Sequence, residues 1–225
     1  SVSAFLLNRS SDLAILWHGE KRYMNMKITD LKFVPQGTSG LNIEAFDCGR
    51  KSVNDFFHNE AQDYQDELFG KTYYFCLPDS PSDIVAGFTV ANASIFTKRL
   101  PNARQKKIGR EVHHEKGLIN YPSILLAQLG VDVKYKGMHL GPQIIDFVMQ
   151  WFTSSDNKSG CRHLIVDAYD EPHLLEFYQR NGLNLFFSSL EQEMQYRNWD
   201  TAKDGPLETR LMFRDMILLK RPSIR

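Results

Sequence analysis

The run LGVDVKYKGMHLG, residues 129–141, restricts the fold more than any other stretch of this chain. An apolar strand enters a short basic loop that contains Gly137 and Gly141, and an amphipathic helix begins at once. That order aims free backbone N–H groups, and the positive end of a helix dipole, at one spot just past the strand. Such a spot suits phosphate. Taken alone, the two glycines also fit a plain turn and helix start; the preceding strand and following helix favour phosphate. Neither G-x-x-x-x-G-K-[ST] nor a full G-x-G-x-x-G occurs, so the phosphate is expected to belong to some other cofactor.

The remaining elements follow from hydrophobic period and turn chemistry. Met26 to Val34 reads as a strand, and 52–66 as a helix capped by Ser52 with Val53, Phe56, Phe57, Ala61 and Tyr64 on one face. Thr72–Leu77 and Ile84–Ala91 read as strands joined by a hairpin-type turn in PDSPSD. Ser123–Val131 is a nearly continuous apolar run, hence a buried central strand. Gly141–Phe152 is helical, with Pro142 suited to the first turn, and His163–Ala168 is the next strand. Pro172–Arg180 is a short helix, Leu183–Phe187 a strand, and Arg210–Lys220 the last strand. This order predicts an α/β (α+β) mixed sheet.

At 225 residues one domain is expected, spanning 26–220, with residues 1–25 an N-terminal extension and the polar stretch 189–208 an insertion. Lys+Arg and Asp+Glu both number 27, so no global field draws the chain to nucleic acid or membrane. No apolar run approaches the ~20 residues that span a bilayer. Cys48, Cys76 and Cys161 are too scattered for a disulfide scaffold or a zinc site, which points to a reducing, cytoplasmic setting. His113-His114 with Glu115 lacks metal spacing, and no metal is expected. Cys48 reads as a small buried residue. Lys98 to Lys116 holds seven Lys/Arg against two acidic residues; such a run is a solvated face or, alternatively, a surface for an anionic acceptor.

Three pieces together resemble the GNAT (GCN5-related) N-acetyltransferases over roughly residues 27–220. The segment 129–141 is similar to that family's acetyl-CoA loop, [QR]-x-x-G-x-[GA], with Lys136 in the Gln/Arg position, Gly141 in the last position, and His139 where a small residue is usual. LIVDAYDEPHLLEFYQRNGL at 164–183 resembles the family's strand followed by A-x-x-F-Y-x-x-x-G-F. AFDCGRKSVNDFFHNEA at 45–61, with YPSILLAQLGVD at 121–132, resembles the branch of GNAT toxins paired with ribbon-helix-helix antitoxins.

The resemblance implies a central strand splayed from its neighbour, with pantetheine bonded along Leu129, Gly130 and Val131. It places pyrophosphate on the amides of Gly137, Met138, His139, Leu140 and Gly141, with Lys136 adding charge. Glu171 occupies a position where many members have an asparagine that contacts coenzyme A. Tyr178 is implied as the catalytic residue that meets the leaving thiolate; read from its spacing with Leu174 alone, it would rather be a core aromatic, and the FYQRNG context reverses that. The base is left open, with Asp132 and Glu115 as candidates. The implied function is acetyl transfer from acetyl-CoA to a primary amine. Alternatives are a tRNA-acetylating toxin with an antitoxin partner, and a non-catalytic acyl-CoA-binding module; an oligomer is possible in any of them.

Overall fold

The computed structural model describes residues 26–109 and 118–220. The extension read in 1–25 falls wholly outside them, as do Arg110, His113, His114, Glu115 and Lys116. Among the described residues seven strands form one mixed sheet in the order β1-β2-β3-β4-β5-β7-β6: Lys32–Pro35, Lys71–Leu77, Ser80–Phe96, Asn120–Val131, His163–Tyr169, Asn184–Leu185 (β6) and Thr209–Asp215 (β7). All neighbours pair antiparallel except β4 and β5.

Helix α1 covers 51–66 as Lys51–Asp55, a π-helical turn Phe56–Glu60, and Ala61–Asp66. The π turn inserts a residue into the helical period. Phe56 and Phe57 are both buried beside Val53 and Ala61, against Tyr74 and Cys76 of β2. Further helices are α2 (Asn102–Gly109), α3 (Leu140–Thr153), α4 (Pro172–Arg180), α5 (Leu190–Arg197), α6 (Thr201–Asp204) and α7 (Ile217–Lys220). Leu140, Ile144, Ile145, Val148 and Met149 of α3 bury one stripe against Phe75, Phe88, Ile124, Leu126, Leu164 and Val166. The other sheet face carries α1 and, further along, a cluster of Ile95, Leu100, Tyr121, Ile165, Phe186, Phe187 and Phe213.

The decisive irregularity lies in β4. Thr89 faces Gln128 while Val90 faces Leu126, so Ala127 is an extra residue against β3. A bulge of this kind bends its strand and increases local twist. On the opposite edge β4 pairs with β5 through four rungs only, ending at Leu126↔Val166. From Ala127 and Asp167 onward the two strands diverge, although β3 still pairs with β4 as far as Val131 and β7 with β5 as far as Tyr169.

Several expectations need correction. Met26–Val34 is not a strand: Ile28–Asp30 is a 3-10 turn, and only Lys32–Pro35 is extended. Gln143 takes the Ile28 N–H at 3.1 Å and donates to the Met26 carbonyl at 3.4 Å, removing those groups from any ladder. Ser52 does not cap α1; Arg50 stands at the cap, and the Ser52 hydroxyl meets the Tyr169 hydroxyl at 2.9 Å. The strand expected over Leu183–Phe187 is two residues long, because buried Phe186 and Phe187 break the alternation. β7 stops at Asp215, whose Oδ1 accepts the Ile217 N–H and starts α7. The polar stretch 189–208 is helical in two places, and its Glu193 is fully buried.

His163 at the start of β5 is also fully buried, and neither ring nitrogen has a hydrogen-bond partner among the described residues. Burial pushes its pKa down to about 4, opposed by Asp215 and reinforced by Arg162. An unfolded histidine near ~6.5 takes up its proton first as pH falls, so this contribution to stability is present above ~6.5 and is lost as pH drops toward 4. Between pH 7 and pH 5 the loss should be about 2 kcal/mol, read from urea midpoints, and His163→Leu should flatten that slope.

Candidate acyl-carrier site

The divergence of β4 from β5 opens a cavity of about 620 Å³, walled by 126–131 on one strand and 166–169 on the other. No rung joins these edges beyond Leu126↔Val166, so they present peptide groups to whatever enters. An amide-bearing chain can bond there as a surrogate strand. Leu129, Gly130 and Val131 all line the gap. At Gly130 a Cβ would stand 3.0 Å from the Cys48 Cβ and 3.1 Å from the Phe46 ring, so glycine lets the 46–50 loop lie close over β4, and a side chain there would press that loop outward by a few tenths of an ångström. Cys48 is buried in that contact, which pushes its thiol pKa up.

Asp132 fixes that loop. It is buried, accepts the Asp47 N–H at 3.1 Å and the Lys134 N–H at 2.9 Å, and donates its own N–H to Val85. Val133 N–H in turn meets the Asp47 carbonyl at 2.8 Å. These bonds make Asp132 a structural clamp. Asp47 is held below the usual carboxylate range by hydrogen bonds from the Gly49 N–H and then from Asn54.

Beyond β4 the chain makes a 3-10 turn, Val133–Tyr135, and arrives at the N-terminus of α3. The Gly137 and His139 amides find no acceptor among the described residues. Leu140 and Gly141 lie in the first turn of α3, where N–H groups lack intrahelical acceptors. Pro142 follows as the third helical residue and has no N–H to satisfy. Gly137, with φ +83°, has open space around it. Lys136, Gly137, His139, Leu140 and Gly141 line the cavity, whereas Met138 packs its side chain against the core.

His139 explains why a small residue suits that position. It caps α3 in the left-handed region, φ 54° and ψ 32°, where a Cβ costs about 1 kcal/mol. Gln143 braces it by donating to its carbonyl at 3.2 Å. His139→Gly should therefore raise stability by about 1 kcal/mol, seen as a higher urea midpoint with an unchanged slope.

Tyr178, on α4, reaches the cavity beside Phe177. Phe177 also fits against Gly141, where an added Cβ would meet its ring at 3.0 Å, and this contact sets α4 against the start of α3. The Tyr178 hydroxyl has no hydrogen-bond partner among the described residues, and burial raises its pKa to about 12. Glu171 is not part of the cavity lining. It pairs with Arg50 Nη2 at 2.7 and 2.8 Å and stands 3.5 Å from His173 Nε2.

Arg50 and Asp167 line the cavity but were not singled out from sequence. A charged residue inside the apolar run His163–Ala168 was the available sign for Asp167. Its carboxylate is held by Arg197 at 2.6 and 3.0 Å, and Arg197 is backed by Glu193. Of the basic run, Lys98, Arg99, Arg104, Lys106 and Lys107 belong to the described part, and α2 lies within it. Among the described residues no group of His, Cys, Asp and Glu could hold a metal, and no helix is long and apolar enough to cross a membrane.

No protein-family model matches the sequence. Solved structures do match. AtaT complexed with acetyl-methionyl-tRNAfMet is 17% identical with TM-score 0.64, over 85% of this chain and 98% of that one. A tyrosine-to-phenylalanine mutant of KacT is 18% identical with TM-score 0.64, over 85% and 98%. AtaTR bound with AcCoA is 17% identical with TM-score 0.63, over 86% and 99%. The likeness extends over nearly the whole of those chains, and with the split strand pair it establishes the architecture: this chain has the GNAT-like fold.

Proposed function

We propose that the chain is an acyl-CoA-dependent N-acyltransferase that moves an acetyl group from acetyl-CoA to a primary amine. The observation that carries this reading is the unpaired edge of 127–131 facing 167–169, continuous with the free amides at the start of α3. A pantetheine amide chain matches the first, and a pyrophosphate matches the second. Hydrogen bonds to a charged group contribute about 1.5–3 kcal/mol each, so three or four amides with Lys136 would anchor the carrier.

Transfer proceeds by direct attack. The acceptor reaches the carbonyl as a neutral amine, its ammonium proton having passed to water. As the C–N bond forms, the carbonyl oxygen gains charge that a gap-facing N–H beside Val131 can meet. Collapse breaks the C–S bond; the nitrogen, still carrying its second hydrogen as an ammonium, gives that proton to water, and the thiolate leaves beside Tyr178 and takes a proton from solvent. A phenol near 12 facing a thiol near ~8.5 makes full proton transfer uphill by roughly 5 kcal/mol. Tyr178 therefore acts first by donating a hydrogen bond to the developing thiolate. The same dry gap destabilises that thiolate, which narrows the difference.

A second reading makes the acceptor the amino group of a charged tRNA, in a toxin restrained by an antitoxin. It is supported by the matches to AtaT in complex with acetyl-methionyl-tRNAfMet and, at 16% identity and TM-score 0.60, to an AtaT mutant bound to the C-terminus of the antitoxin AtaR. The test is thiol release from acetyl-CoA in the presence of an amine library and of charged tRNA. Release with either acceptor supports transfer and chooses between the readings. CoA binding without release from any acceptor would leave only a binding module.

A further inference from the structure

The mouth of the gap is spanned by an ion pair that the chemistry above does not use. Arg50 stands at the start of α1, on a loop fixed to the end of β4 through Asp47 and Asp132. Glu171 caps α4, just beyond β5. Their contact therefore joins the two diverging strands across the opening, with the Ser52–Tyr169 hydroxyl contact at 2.9 Å beside it.

The guanidinium is engaged in a particular way. It lies over the Tyr169 ring at 4.3 Å and offers a single nitrogen, Nη2, to both Glu171 oxygens. Its Nη1 and Nε donate to nothing among the described residues, and about a third of the side chain (34%) is exposed. Arginine usually meets a carboxylate through two nitrogens at once, so this pairing leaves the fork largely unspent. Lys136 brings a second cation close by, since a Cβ on Gly49 would lie 2.8 Å from its Nζ. Arg50, Lys136 and His173 all line the cavity at this end.

We propose that Arg50 is an anion-recognition residue at the cavity mouth, with Glu171 as a resident counter-ion that gives way to a phosphate-bearing ligand. The proposal rests on the acyltransferase reading and deepens it. Stacking on Tyr169 keeps the guanidinium aimed at the opening when the carboxylate leaves, so the free donors meet phosphate without reorganisation. The phosphate could belong to the acyl carrier or to the acceptor, and both present the same chemistry to Arg50.

The test uses the full chain, Arg50→Gln and Glu171→Gln, in two titrations at fixed low salt. In one, each protein is titrated with CoA and with pantetheine, which lacks the phosphates. In the other, the CoA-saturated protein is titrated with O-phosphoethanolamine and with ethanolamine. Arg50→Gln should weaken the phosphorylated ligand roughly tenfold in one of these titrations and leave its unphosphorylated counterpart alone. Glu171→Gln should tighten the same ligand, a gain that misfolding cannot mimic. Change in the first titration assigns the carrier phosphate, and change in the second assigns the acceptor. If the wild type binds CoA but both variants match it throughout, this inference is overturned alone. If the wild type binds neither CoA nor pantetheine, the acyltransferase reading falls and the inference falls with it.

Discussion

Tyr178→Phe should lower the maximal rate of thiol release by about 100-fold or more, while CoA affinity changes by less than about threefold. The substitution removes one oxygen and keeps the ring that packs beside Phe177. Because the hydroxyl has no partner among the described residues, its loss orphans no other buried group there. The effect should fall on turnover, since the thiolate exists only as the C–S bond breaks. Burial holds the phenol protonated up to about pH 12, so Tyr178 should impose no falling limb on the rate below pH ~10. A variant that kept more than half the wild-type rate would show that another group, or water, meets the thiolate.

Glu193→Ala should cause the largest loss of stability of any single change considered, about 3–5 kcal/mol, or roughly 10 °C in Tm. Glu193 is fully buried between two guanidinium groups, accepting from Arg197 at 2.8 Å and Arg210 at 2.8 Å, and also from the Leu211 N–H. Removing it leaves two partly buried cations facing each other. Arg197 also holds Asp167, so the damage should reach the wall of the gap. The exposed pair Glu176–Arg180 provides the contrast: Glu176→Ala should cost under about 1 kcal/mol, because solvent screens both partners. Equal losses at the two sites, in matched thermal melts, would contradict the account of the buried network.

Most of the architecture was readable because long periodic segments are unambiguous. α3 and α4 announce themselves by a 3.6-residue stripe and a leading proline, and β4 by its continuous apolar run. The loop at 136–141 was readable from its position between those elements. What escaped has definite causes. The bulge at Ala127 carries no glycine or proline, and it shows only in the register against β3. The splayed strand pair was therefore expected through a resemblance, and sequence period alone did not reveal it. The stretch 189–208 looked polar because its most deeply buried residue is a carboxylate, Glu193, whose partner Arg210 lies on β7. Arg50 sits inside a quoted motif, yet nothing local indicates that its partner is 121 residues away. Ser52 looked like a cap because Ser is a good one, and tertiary contact with Tyr169 won.

The most direct measurement is a crystal structure of the chain grown with CoA. The account predicts pantetheine density between 127–131 and 167–169, bonded to the β4 edge, with pyrophosphate on the amides of Gly137, His139, Leu140 and Gly141, the Met138 N–H being taken by the Tyr135 carbonyl, and sulfur within hydrogen-bond reach of the Tyr178 hydroxyl. Density for CoA elsewhere on the surface, with the split between β4 and β5 empty or closed by an ordinary ladder, would contradict it.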